Sequence, residues 1–192
     1  MMKRFAFWFL VSVATLTLTS SSRADFKLAP VFSDNMVLQQ GQAVPVWGWA
    51  DDGEVVTVKF RGQKVSAKAW NGKWSLRLGS VRAGGPYDFT VTSKSRTVQF
   101  SNVLVGEVWV CSGQSNMQWP LERSFEPAAD LASATNNLIR LLPVRRVKSD
   151  APSVVMKSAW QTCSPDAVKS FSAVGYYFGR ALQQARRVPV GL

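Results

Sequence analysis

A length of 192 residues suits one ordinary domain, or a small domain and part of another, and 46% hydrophobic residues with 13 glycines and 9 prolines exclude a disordered tail. The net charge of +11 falls to +8 once residues 1–24 are set aside, and its Lys and Arg residues are scattered along the chain, so no nucleic-acid surface is expected. Two cysteines and no histidine exclude a disulfide scaffold and make a poor structural zinc set, and no metal or other cofactor is expected.

Residues 1–24 begin with Lys3 and Arg4, continue as an apolar run from Phe5 to Leu18, and end on Ser22-Arg23-Ala24. This is the pattern of a cleavable signal peptide, and its apolar core is shorter than the roughly 20 residues that span a bilayer. The expectation is export, to the periplasm or beyond the cell, with no retained membrane segment. An oxidising compartment would permit one disulfide between Cys111 and Cys163, although the apolar setting of Cys111 also suits a buried free thiol.

From residue 25 to 101 short stretches alternate with period two. Val56, Val58 and Phe60 form one apolar face, followed by Val65, Ala67 and Ala69, by Trp74, Leu76 and Leu78, by Tyr87, Phe89 and Val91, and by Val98 and Phe100. Asn71-Gly72 between Trp70 and Lys73 predicts a two-residue type I′ turn, because both central positions need positive φ. The reading is an all-β sandwich domain over 25–101 with aromatic side chains in its core. Trp47, Trp49, Trp70 and Trp74 are either part of that core or a carbohydrate-stacking platform.

At residue 102 the pattern changes. Val103 to Val110 is almost continuously apolar, as in a strand covered on both faces, and "NLIRLLPV" from Asn137 repeats the pattern. Ser164-Pro165-Asp166 predicts a helix start, with an apolar stripe at Phe171, Val174, Phe178, Ala181, Leu182 and Ala185. "VPVGL" then opens a third, parallel strand. Residues 102–192 therefore read as an incomplete α/β domain. Ser115 lies just past the first of its strands, in "GEVWVCSGQSNMQWPL", where α/β sheets place their ligands; Gly113 allows a tight turn, and Gln114 and Asn116 could orient a substrate or fix the loop. The spacing alone fits a helix-capping turn serine as well as a nucleophile. Asp130, Asp150 and Asp166 read as solvated or capping carboxylates.

The stretches "KLAPVFSDNMVLQQGQAVPVWGWA", "GKWSLRL", "AGGPYDFTV", "NVLVGEVWVCSGQSNMQWPL" and "FSAVGYYFGRAL" closely resemble the sialate O-acetylesterase family, whose hydrolase domain is of the SGNH, flavodoxin-like, three-layer type. The resemblance implies an N-terminal β-sandwich, then the start of the hydrolase domain, with Ser115 as nucleophile and its own N–H as one oxyanion donor. A second donor is implied near Ala173 to Gly175, with Gly175 the one glycine there. The implied substrate is an acetylated sialic acid or another acetylated sugar. An acetyl-xylan esterase, or a carbohydrate-binding module without catalysis, are the alternatives. The family's catalytic histidine and acidic partner lie farther along, in an Asp-x-x-His arrangement that this sequence does not reach, so an N-terminal portion inactive by itself is expected.

Overall fold

The computed structural model describes residues 25–151, 153 and 156–192; the expected signal peptide lies outside the described residues. In chain order the elements are β1 (Lys27–Leu28), β2 (Val37–Gln39), β3 (Val44–Trp49), β4 (Val55–Phe60), β5 (Gln63–Lys68), β6 (Lys73–Leu78), β7 (Gly84–Thr92) and β8 (Thr97–Val108). Two 3-10 turns follow, Ser115–Gln118 and Leu121–Arg123, then α1 (Pro127–Ala132), β9 (Asn136–Leu141), β10 (Gln161–Cys163), α2 (Pro165–Lys169), α3 (Ala173–Arg186) and β11 (Val190–Gly191). Among the described residues the strands form two sheets. One is antiparallel, in the order β1-β3-β6; the other is mixed, β10-β9-β11-β8-β7-β4-β5, with β2 also paired to β8. This is a mixed β-sheet fold with few, short helices.

The period-two stretches form strands because alternation buries one face of each. Val44 and Val46 of β3 and Trp74, Leu76 and Leu78 of β6 meet Val56, Val58, Phe60, Phe89 and Val91 of the mixed sheet in one buried core. Phe89 joins Phe32 (6.2 Å between centroids), Phe60 (5.4 Å) and Phe100 (6.4 Å) in its aromatic centre. Each such side chain contributes about 1.5–3 kcal/mol through burial. Asn71 and Gly72 have φ of 51° and 70°, and Trp70 and Lys73 exchange both backbone hydrogen bonds around them, as a type I′ turn requires. Beyond that pair the chains part. β5 joins β4 in the mixed sheet while β6 joins β3 in the other, because Ala69 and Trp74 both turn into the core between the sheets.

A second core lies beneath α2 and α3. Ile139 and Leu141 of β9, with Val190 and Leu192, pack there against Val168, Phe171, Ala173 and Tyr176. The alternate residues face the first core: Gly191 lies against Val37 and Trp160, and Leu142 packs on the same side. β11 sits between β8 and β9, parallel to both, with Val190 opposite Glu107 and Ile139. β8 belongs to both halves. Its first part pairs antiparallel with β7, its end pairs with β2 and β11, and it runs unbroken across residues 101 and 102.

Arg140 is buried at 2% exposure, between the two cores. Its guanidinium donates to the carbonyls of Asn137 and Ile139 and to Asn102 Oδ1 (3.2 Å), and Asn102 donates onward to Asn35 Oδ1 (2.6 Å). Arg140 Nε has no partner among the described residues, and burial holds this guanidinium below its ordinary pKa.

Three expectations need correction. The apolar run from Val103 ends as strand at Val108; Trp109 (46% exposed) keeps one backbone bond to Gly191, and Val110 (90%) lies beyond the strand. The single helix expected after Ser164 is two: α2, capped by Ser164, stops at Ser170, and α3 starts anew with Ser172 as cap. The buried face of α3 is Ala173, Gly175, Tyr176 and Gly179, and the predicted stripe residues Val174 and Phe178 are exposed. Small residues make the contact face because the helix packs tightly there. A Cβ on Gly179 would come within 2.3 Å of Leu192 Cδ1.

Candidate active site

Ser115 opens the 3-10 turn Ser115–Gln118, seven residues beyond the end of β8. β8 leads there in parallel with β2, β11 and β9, and α3 runs back antiparallel to them into β11, so its amino end lies at the same edge of the sheet. Met117 N–H donates to Gln114 O (2.7 Å) and Trp119 N–H to Asn116 O (3.2 Å), which folds the segment into a tight spiral with Gln114, Ser115 and Asn116 exposed. Gly113 fits under it because a side chain there would press on Met117 at 3.3 Å.

The turn is tied to the start of α3 by backbone bonds that sequence reasoning missed. Ala173 N–H donates to Trp119 O (2.8 Å) and Leu121 N–H to Phe171 O (3.0 Å), so that Pro120 and Ser172 form a bridge. Ser172 Oγ also contacts Met117 Sδ (3.4 Å) and accepts from Gly175 N–H (3.1 Å). Ser172 was discoverable as a helix cap once the break at Ser170-Phe171 was admitted. The cross-chain bonds leave no sequence signal, since they use backbone atoms.

Gly175 is the third residue of α3. Its N–H is engaged by the cap, and its bare Cα accommodates Cys111 Sγ and the Phe171 ring, which would lie 3.5 and 3.2 Å from a Cβ. In this arrangement neither the Gly175 nor the Ala173 N–H is open to an oxyanion. The amino end of a 14-residue helix still places a partial positive charge beside the Ser115 turn.

Ser115 Oγ has no hydrogen-bond partner among the described residues. No imidazole exists in the sequence to take its proton. Asp130, expected to be a solvated or capping carboxylate, instead accepts from Tyr177 Oη and Arg180 Nη1, both at 2.6 Å, clamping α1 to α3. The Tyr177 hydroxyl and then Arg180 hold the Asp130 carboxyl below its ordinary pKa. Asp166 sits in the first turn of α2 and Asp150 is exposed. Cys111 and Cys163 are free thiols. Burial pushes Cys163 up to about 11, and its S–H donates to Ala134 O (2.9 Å). Among the described residues no three His, Cys, Asp or Glu side chains gather as a metal site, and no helix is long and apolar enough to cross a membrane.

No protein-family model matches the sequence. Among curated proteins it is similar to sialate O-acetylesterase from Homo sapiens, 31% identical across 90% of this chain, and from Mus musculus, 28% identical across 95%. It covers 37% and 38% of those relatives. Among solved structures it is similar to a carbohydrate acetylesterase from Xanthomonas citri, with 35% identity and a TM-score of 0.83 across 86% of this chain and 38% of that one. Across most of its length, and a little over a third of theirs, the chain therefore matches the sialate O-acetylesterase and carbohydrate acetylesterase homologues at the level of a family.

Proposed function

We propose that this chain is the amino-terminal portion of an exported carbohydrate O-acetylesterase, with a β-sandwich over 25–101 and the start of an SGNH-type hydrolase domain over 102–192. Ser115 is its nucleophile. The observation that carries this reading is the position of Ser115: exposed, without a side-chain partner among the described residues, in the turn that follows a parallel strand and is stitched to the amino end of α3. Relatives named for acetyl-ester hydrolysis support the reaction class.

In the proposed reaction Ser115 Oγ attacks the acetyl carbonyl carbon as a base removes its proton. The tetrahedral oxyanion is held by the Ser115 N–H, beside the positive amino end of α3. Collapse breaks the C–O bond to the sugar, whose oxygen receives the proton from the base. Water then attacks the acetyl-serine, releasing acetate and restoring the hydroxyl. The base in this scheme is a histidine, which none of the 192 residues provides. If Gly175 acts as a donor, its N–H must first leave Ser172 Oγ; the exposure of Gln114 and Asn116 on either side of Ser115 supports a part for them in orienting the sugar.

The substrate proposed is an O-acetylated sialic acid, after the curated relatives; another acetylated carbohydrate, with acetylated xylan as its probe, is the second reading, in keeping with a solved neighbour named as a carbohydrate acetylesterase. The test is acetate release by the product of the complete gene from acetylated sialic acid and from acetylated xylan. Ser115→Ala should lower kcat by about a thousandfold or more. Activity retained by the alanine variant would remove Ser115 from the chemistry. The 192-residue chain alone should hydrolyse an aryl acetate no faster than its Ser115→Ala form, and a clear Ser115-dependent rate would contradict the need for an outside base.

A further inference from the structure

The outer face of the antiparallel sheet is unlike its inner one. Val44, Val46 and Gly48 of β3 and Trp74, Leu76 and Leu78 of β6 are turned into the core. The residues between them face outward, and their register is set by the ladder: Lys27 lies opposite Trp49, Trp49 opposite Lys73, and Lys73 opposite Trp70. Directly paired residues share a face. One row across the sheet therefore reads cation, indole, cation, indole. Trp49 and Trp70 are separated by about 10 Å, two strand intervals, with Lys73 between them in the ladder.

Trp47 lies two residues from Trp49 on the same face, about 7 Å away, and Arg77 extends the basic side along β6. Trp70 is 75% exposed and Trp47 41%, and Lys73 and Arg77 are exposed, whereas Trp49 is half-buried and packs against the first core, so Trp70 and Trp47 carry the open indole surface. Trp47 meets Phe32 in a T-shaped contact, with centroids 5.0 Å apart at 76°, which fixes the ring's orientation. Two carboxylates border the row. Asp25 lies 3.7 Å from Lys27, and Asp52 accepts from Gly72 N–H at 2.6 Å; Lys73 and Arg77 have no ion-pair partner among the described residues.

The geometry points to a glycan-binding face on β1, β3 and β6, distinct from the Ser115 turn, that takes a chain of carboxylate-bearing sugars. Flat indole faces match the C–H faces of pyranose rings, and a lysine between two indoles, with an arginine alongside, matches a repeating negative charge. The choice of sugar over other anions with flat rings rests on the family match and the reading of the chain as part of a carbohydrate esterase. The face would hold an acidic glycan near the enzyme without taking part in ester cleavage.

The test uses the 192-residue chain with Ser115→Ala and ligands that carry no acetyl ester, so that its outcome is independent of the esterase reading. Binding of a sialic-acid oligomer, a neutral xylan oligomer and oligothymidylate is followed by calorimetry and indole fluorescence. The sialic-acid oligomer should bind best. Trp70→Ala and Lys73→Gln should each weaken it by about tenfold with unchanged melting, Trp70→Phe should restore most of it, and the double change Lys59→Gln with Lys64→Gln on the other sheet should leave it within about twofold. The proposal is overturned if the sialic-acid oligomer does not bind, if the neutral oligomer or oligothymidylate binds as well or better, or if the β4–β5 changes weaken binding as much as those at Trp70 and Lys73.

Discussion

Replacing Gly106 with alanine isolates the contact that holds the strand leading to Ser115. A Cβ there would lie 1.9 Å from the carbonyl oxygen of Pro189 and 2.6 Å from its carbonyl carbon. Both are backbone atoms, so no change of rotamer relieves the overlap and β8 must move away from β11. Two hydrogen bonds flank the contact, Glu107 N–H to Pro189 O and Trp109 N–H to Gly191 O, each 2.9 Å. Losing both costs about 2 kcal/mol, and partial exposure of Val190 and Leu192 adds about 1–2 kcal/mol. The expected loss is about 3–4 kcal/mol, in the upper range for a single substitution. In an ordinary strand the same change would gain about 0.5–1 kcal/mol, so the sign alone is diagnostic. Urea unfolding followed by circular dichroism gives the magnitude, and amide exchange at Glu107 and Trp109 reports the local opening. An alanine variant as stable as the parent, with both amides still protected, would refute the reasoning.

The Asp130 clamp should respond to charge and pH. Asp130→Asn should cost about 1–2 kcal/mol at neutral pH, toward the lower end because the Asp130 and Arg180 side chains are each near 30% exposed. Since the folded carboxyl titrates below its ordinary 3.8, its contribution is complete above that value and is lost as pH falls through the lowered one. Parent and variant stability curves should therefore converge in acid; a constant difference down to about pH 2 would rule the clamp out as the cause. The thiols should separate in a chromogenic disulfide titration at pH 8. Half-buried Cys111, its pKa raised by burial, should react slowly in the folded chain, and Cys163 only after unfolding. Rapid labelling of Cys163 in the folded protein would contradict its burial.

Local chemistry was legible in the sequence where one residue type had one structural use. Asn71-Gly72 could only be a tight turn with positive φ, and Ser164-Pro165 only a helix start. The destination of the strands around that turn was not legible, because alternation says which residues are buried but not against which sheet. The break at Ser170-Phe171 escaped notice because Phe171 continued a helical spacing with Val174 and Phe178. The face of α3 was misassigned for a related reason. Hydropathy points to the large side chains, while the close contact with Leu192 and Cys111 selects glycine and alanine. Phe178 turned instead toward Trp109, 5.1 Å away. At the candidate site, Ser115 stood out through its motif, whereas its attachment to α3 depends on backbone atoms that every residue carries.

The continuity of β8 has a consequence for cooperativity. A strand that donates its first half to one core and its last residues to the other cannot let either core open without fraying its own ladder. Arg140 adds to that dependence, since unfolding on either side strips partners from a guanidinium already short of them. Loosening among the aromatic side chains around Phe89 would thus be transmitted along β8 to the segment that carries Ser115, so the β-sheet module sets the rigidity of the turn at the far end of its last strand.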